Sequence, residues 1–197
     1  MNYNGIMMKT KIKYILLATV SLLFSLSFES CSSDSDDNER GGGSGNGTNT
    51  AFIIGDKNYG YIPYAYFIDN GMDGKERTCS FMFSNVKLPE GLSGQDVKWT
   101  YLAVRLPYDG LTIPVGTFSG SSVDMDFDVN YNLNDNSVEL TGWSLNVSVE
   151  IKKSGDNYYI DVTASDLYTE TDHDVNAKKS PYNVVFHYEG GVNILNK

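Results

Sequence analysis

Six oxygen-bearing side chains, Asp124, Asp126, Asp128, Asn130, Asn132 and Asp135, stand at positions 1, 3, 5, 7, 9 and 12 of a calcium-loop register. Carboxylates and carboxamides so spaced are the hard ligands that Ca²⁺ prefers, which makes Asp124, Asp126 and Asp128 a calcium candidate. Three features oppose it. Position 6 is Val129 where a sharp turn needs glycine, Asp135 stands where a bidentate Glu is required, and no helical period flanks the run. Val123, Met125, Phe127, Val129 and Tyr131 alternate with the acids, so a period of two places the carboxylates together on one face of a half-buried strand. The expectation is a solvated strand face and no bound metal.

His173 sits among acids in Asp172-His173-Asp174, and His187 alternates with Phe186 and Tyr188 toward the outer face of a strand. Nothing in their spacing makes them meet as metal ligands. Cys79 lies in the alternating stretch Thr78-Cys79-Ser80-Phe81-Met82-Phe83 and reads as a small packed hydrophobe rather than a reactive thiol. Gly116-Thr117-Phe118-Ser119-Gly120 lacks the G-x-S-x-G spacing of a nucleophile elbow. The glycines from Gly41 to Gly47 have no bracketing strand or helix to make a phosphate loop. Catalysis is not expected, and no cofactor is implied.

The remaining chemistry is aromatic. Tyr59, Tyr61, Tyr64, Tyr66, Phe67, Trp99 and Tyr101 crowd both faces of their segments, more than one core face can absorb. If part of that surplus is exposed, Tyr59, Tyr61, Tyr64, Tyr66, Trp99 and Tyr101 could stack on sugar rings or dock a partner protein. If both faces are covered they are core, which is the favoured reading.

These side chains need a β scaffold to hold them. Strand patterns run through Phe52–Ile54, Tyr59–Ile68 with Pro63 marking an edge or bulge, Arg77–Lys87, Val97–Leu106 and the interrupted Thr112–Phe118. They continue through Val123–Tyr131, then Val138–Ile151 with Trp143, Leu145, Val147, Val149 and Ile151 inward. Ser154-Gly155-Asp156-Asn157 turns that strand back into Tyr158–Ala164 as a hairpin. The polar stretch 166–181 reads as a long loop, Tyr182–Tyr188 as a further strand, and Val192–Leu195 as a short last one. No sustained helical period occurs after the first 30 residues. The fold class is all-β, an antiparallel β-sandwich or lipocalin-like barrel of about eight or nine strands.

The first 50 residues have a different grammar. Lys9, Lys11 and Lys13 precede an apolar run from Tyr14 to Phe28, the pattern of a signal peptide over 1–30 whose start is expected at Met7 or Met8. The run is shorter than the roughly 20 apolar residues that span a bilayer. Ser30-Cys31 at its end resembles the lipobox of bacterial lipoproteins, departing from it at Phe28 and Glu29. The acidic Ser32-Ser33-Asp34-Ser35-Asp36-Asp37-Asn38-Glu39 that follows resembles the export tether of Bacteroidetes surface lipoproteins. The segments LTIPVGTF, LTGWSLNVSVEIKKSGDNYYIDVTASDL and SPYNVVFHYEGGV resemble, in layout alone, the sandwich or lipocalin-like domains of such proteins. The resemblance implies a fatty-acylated (palmitate-bearing) Cys31, outer-membrane anchoring through lipid, and a domain facing the cell exterior. It carries over no catalytic residue.

With RGGGSGNGTNT, residues 40–50, as a linker, the layout is leader 1–30, lipidated and flexible tether 31–50, and one β-domain 51–197. The whole chain carries a net charge of −10, and the leader holds three lysines and one glutamate, so the remainder stands at −12. That sign argues against nucleic acid as a partner. The function expected is a non-catalytic cell-surface module binding an extracellular glycan or protein. A structural or adhesive subunit of a surface assembly is the alternative, or a lipocalin-like carrier of a small apolar ligand.

Overall fold

The structure, a computed structural model, describes residues 47–88, 97–171 and 174–195. The leader, Cys31, the acidic tether and His173 lie outside the described residues. Fourteen strands follow one another without a helix among the described residues. They are β1 (Gly47–Ile54), β2 (Lys57–Asn58), β3 (Tyr64–Asp73), β4 (Glu76–Ser84), β5 (Lys98–Pro107), β6 (Gly116–Ser119) and β7 (Asp124–Asn132). Then come β8 (Leu140–Ser144), β9 (Asn146–Ser154), β10 (Asn157–Ser165), β11 (Tyr168–Thr171), β12 (Asp174–Lys179), β13 (Val184–Gly190) and β14 (Asn193–Leu195).

Two sheets form, in the orders β2-β1-β13-β10-β9-β6 and β12-β11-β8-β7-β5-β4-β3-β14. Every pairing is antiparallel except that of β14 with β3. Among the described residues neither sheet closes on itself, so the fold is sandwich-like and not the closed barrel that a lipocalin-like carrier requires. One apolar cluster fills the space between the sheets. Phe81, Phe83, Leu102, Val104 and Phe127 of one sheet meet Phe52, Val149, Ile160, Phe186 and Tyr188 of the other. Phe52 lies edge-on to Phe127 at 5.6 Å, and Phe83 reaches Phe186 at 4.5 Å.

The β9–β10 hairpin is as expected. Val147, Val149 and Ile151 face Ala164, Val162 and Ile160 across the ladder, and Gly155 takes the left-handed φ of 59° that the two-residue loop demands. β7 also buries Met125, Phe127 and Val129 as its alternation requires. Its inward run stops short of Tyr131, because Asn130 enters the left-handed region at φ 52° and Val129–Asn130 bulge opposite Thr100.

Five expectations are corrected. The described residues form fourteen strands rather than eight or nine, because short strands such as β2 carry too few residues to show a period. β1 begins at Gly47, inside the stretch read as linker, and its first residues pair with β13. Pro63 marks neither an edge nor a bulge: strand structure starts after it at Tyr64, and β3 runs between β4 and β14. Within the polar stretch 166–181, β11 and β12 pair as an edge hairpin, Tyr168 opposite Lys179. Strands of four and six mostly polar residues, YTET and DVNAKK, are too short to show an apolar period.

The fifth correction concerns Val138–Ile151. The chain changes sheets at Leu145, which is 51% exposed, so β8 belongs to the eight-stranded sheet and β9 to the six-stranded one. Residue parity is conserved while the inward face is not: Trp143 points out of the sandwich although Val147, Val149 and Ile151 point in. Gly142 is the reason β8 can lie so close to the core. A Cβ there would strike the Phe127 ring, 2.7 Å from Cε1 and nearer still to Cζ, and stand 3.1 Å from the Tyr168 carbonyl oxygen. Gly142→Ala is expected to destabilise the protein by about 1–3 kcal/mol through overpacking, as measured by urea unfolding.

Candidate ligand-binding face

Strand register assembles the site. Across the outer face of the eight-stranded sheet one row runs Lys179, Tyr168, Trp143, Asp126, Ala103, Met82, Tyr66 and Asn193. The next row carries Glu170, Thr141, Asp128, Tyr101, Ser84 and Tyr64. A third sets Asp124 against Arg105 and Ser80. Two positions apart on one face of β5, Trp99 lies beside Tyr101, with ring centroids 4.7 Å apart.

The polar atoms of this face are ordered by protein partners. Trp99 Nε1 donates to Ser84 Oγ at 2.9 Å, and Ser84 Oγ donates to the Val86 carbonyl at 2.7 Å. The Leu88 amide donates to Tyr66 Oη at 2.7 Å, which draws the segment after β4 over the aromatics. Tyr101 Oη donates to Asp126 Oδ2 at 3.1 Å. Burial and the neighbouring charges of Asp126 and Asp128 push the Tyr101 phenol well above its ordinary range, so it stays a neutral donor. Arg105 Nε and Nη2 both donate to Asp124 Oδ2, the former at 3.0 Å. Burial nonetheless raises the Asp124 carboxyl above its usual value, Arg105 offsetting only part of the desolvation.

The residues singled out from the sequence divide. Tyr64, Tyr66, Trp99 and Tyr101 share this face, whereas Tyr59 packs beside Phe52 under the ammonium of Lys57, and Tyr61 is exposed ahead of β3. Tyr66, Trp99 and Tyr101 are buried yet stand outside the central cluster, which the choice between core and surface did not foresee. Tyr64 is half-buried on this face, and two further accessible aromatics lie on it. Trp143 and Tyr168 stack at 5.6 Å with an interplanar angle of 19°, Trp143 half-buried and Tyr168 40% exposed. Both were hidden from sequence reasoning, Trp143 by the change of sheet at Leu145 and Tyr168 by its place in an apparent loop.

The acidic run is not a solvated strip. Asp124 and Asp128 are buried and Asp126 is half-buried, Asp124 accepting from Arg105 and Asp126 from the Tyr101 hydroxyl. Farther along the calcium register, Asn132 Oδ1 accepts the Asn134 amide and Asp135 Oδ1 the Ser137 amide, so those oxygens shape the turn into β8. Among the described residues no three His, Cys, Asp or Glu side chains converge as a metal ion requires. His187 lies on the outer face of the six-stranded sheet, Nδ1 2.7 Å from Asp161 Oδ1. Cys79 is fully buried, and desolvation pushes its thiol up to about 12, which leaves no thiolate at neutral pH.

Compared with known proteins, the chain matches no family model, no curated protein and no solved structure.

Proposed function

We propose that this is a lipid-anchored cell-surface protein, held by an acylated Cys31 at the outer membrane and facing the exterior, whose β-domain is a non-catalytic binding module for an extracellular glycan. The site is the outer face of the eight-stranded sheet. The observation that carries this reading is the Trp143–Tyr168 stack, an accessible aromatic platform whose row neighbour is Asp126, with Glu170 in the adjoining row. Flat rings present C–H-binding surface to a sugar, and oxygens beside them accept from its hydroxyls. Rigid strands supply the platform with little ordering cost on binding. A carrier role fits less well, since the space between the sheets is filled by the aromatic and aliphatic cluster.

Two measurements test the two halves of the proposal. Trp143→Ala and Tyr168→Ala are each expected to weaken glycan retention on an array or in affinity electrophoresis by on the order of tenfold, about 1.4 kcal/mol. Undiminished binding by both variants would remove this face as the site. Cells fed a labelled palmitate analogue should label the wild type and not Cys31→Ala. Equal labelling of both would end the anchor proposal while leaving the glycan face untouched.

A further inference from the structure

Among the described residues the six-stranded sheet ends in β6, whose four residues pair with β9 alone, from Gly116 opposite Ile151 to Ser119 opposite Ser148. The residues leading into it, Thr112 to Val115, lie in no strand. Among the described residues the amides of Thr112, Ile113 and Val115 and the carbonyls of Thr112 to Val115 make no hydrogen bond, and Pro114 has no amide hydrogen to give. The outer side of β6 and the unbonded main chain of Thr112 to Val115 that leads into it thus have acceptors throughout and donors everywhere but at Pro114 to offer.

Beside that edge is a groove of about 780 Å³, walled by Pro107, Tyr108, Ile113, Pro114, Val115 and Phe118. Its shape is set in advance. Two prolines stiffen its backbone, and Tyr108 is clamped edge-on to Phe67 at 5.3 Å with the Arg77 guanidinium 5.6 Å from its ring. Of its lining residues Val115 is 54% exposed, and Leu111, the residue before Thr112 in the chain, is 81% exposed, two large apolar side chains left in water within five residues. The charge of the groove is negative. Arg77 is engaged by Asp69, whereas Glu76 has no ion pair among the described residues and Asp109 uses one carboxylate oxygen to accept the Leu111 amide.

These features select among occupants. A small molecule needs most of its surface enclosed, and this groove is open to solvent alongside a strand. A second copy would bring the same acidic surface against it, on a chain whose net charge is −10, and like charges oppose such a docking. An extended chain that hydrogen-bonds to the edge, drops alternate apolar side chains into the groove and sets basic ones beside Glu76 and Asp109 meets every requirement. We propose that the Thr112–Ser119 edge takes up an extended, alternating basic and apolar segment of another protein by strand addition. The site is separate from the aromatic face, and either can fail without the other.

The test uses the full chain and two blocked heptapeptides, one alternating valine with lysine and one alternating valine with glutamate. In an amide NMR titration the valine–lysine peptide is expected to shift the amides of residues 112–119 and slow their hydrogen exchange. The valine–glutamate peptide should bind at least tenfold more weakly. The double variant Glu76→Lys, Asp109→Lys should lose at least tenfold in affinity for the first peptide and gain for the second. Val115→Arg, on an exposed side chain that tolerates the change, should also abolish uptake while the β9–β10 amides stay unshifted. The proposal is overturned if a saturating valine–lysine peptide leaves residues 112–119 unperturbed, or if charge reversal leaves its affinity unchanged. Concentration-dependent protection of the same amides in the protein alone would also overturn it, by naming a second copy as the occupant.

Discussion

Arg105→Ala is expected to destabilise the protein by about 3–5 kcal/mol at neutral pH, the range for removing one partner of a buried ion pair. Asp124 is 4% exposed, and its Oδ2 takes both Arg105 donors, so alanine would leave a carboxylate in a dry environment with its principal donors gone. The loss should depend on pH in a definite sense. Burial already holds the Asp124 carboxyl above its usual value, and losing Arg105 removes what lowers it. A carboxyl with a raised folded-state pKa contributes its full stability below the unfolded value, about 3.9, and loses it as the pH rises through the folded value. The penalty of Arg105→Ala should therefore be largest at pH 7 and shrink toward pH 3, where Asp124 is protonated in both states. Urea unfolding at the two pH values measures this. Adding Asp124→Asn to the alanine variant should recover stability at pH 7, and a penalty that ignores both pH and the second substitution would show that lost packing of the arginine stem was responsible.

Phe83→Ala should cost a similar amount, about 3–5 kcal/mol, for a different reason. Phe83 is fully buried on the eight-stranded sheet, and its ring meets Phe186 at 4.5 Å and Tyr188 at 5.4 Å on the six-stranded sheet while lying parallel to Phe81 at 6.4 Å. Alanine would open a cavity where the two sheets are joined, and rigid ladders on either side cannot collapse into it. Since a domain of this kind is stable by roughly 5–15 kcal/mol in total, the variant should unfold at markedly lower urea with an unchanged dependence on denaturant. Phe83→Leu, which keeps most of the volume, should lose clearly less. If the two substitutions cost the same, shape at this position is not what couples the sheets.

Where alternation was uninterrupted, local sequence and final structure agree. Val147, Val149 and Ile151 against Ile160, Val162 and Ala164 form the hairpin that their spacing and Gly155 require, and Met125, Phe127 and Val129 bury as their period says. Agreement ended wherever the meaning of inward changed along the chain. Trp143 and Val147 have the same parity, but the step between sheets at Leu145 sends one to the outer face and the other to the core. Tyr168 was illegible because its strand has only four residues, three of them polar, too few to show a pattern. The acids at 124, 126 and 128 were correctly placed on one strand face, yet their burial depends on Arg105 and Tyr101 from β5, some 20 residues upstream in sequence and adjacent only through the ladder.

What the chain determined without its fold is the all-β class, the alternating faces of its longest strands and the hairpin at Gly155, because these depend on a side-chain period of two and on turn residues that act within a few positions. Tertiary structure alone decided that fourteen strands divide into open sheets of six and eight, that Trp143 and Tyr168 become a stacked pair, and that β6 ends as a free edge beside a groove. Those outcomes rest on which strands become neighbours across long loops. That choice is made by the summed packing of the whole core, and no local stretch of residues contains it.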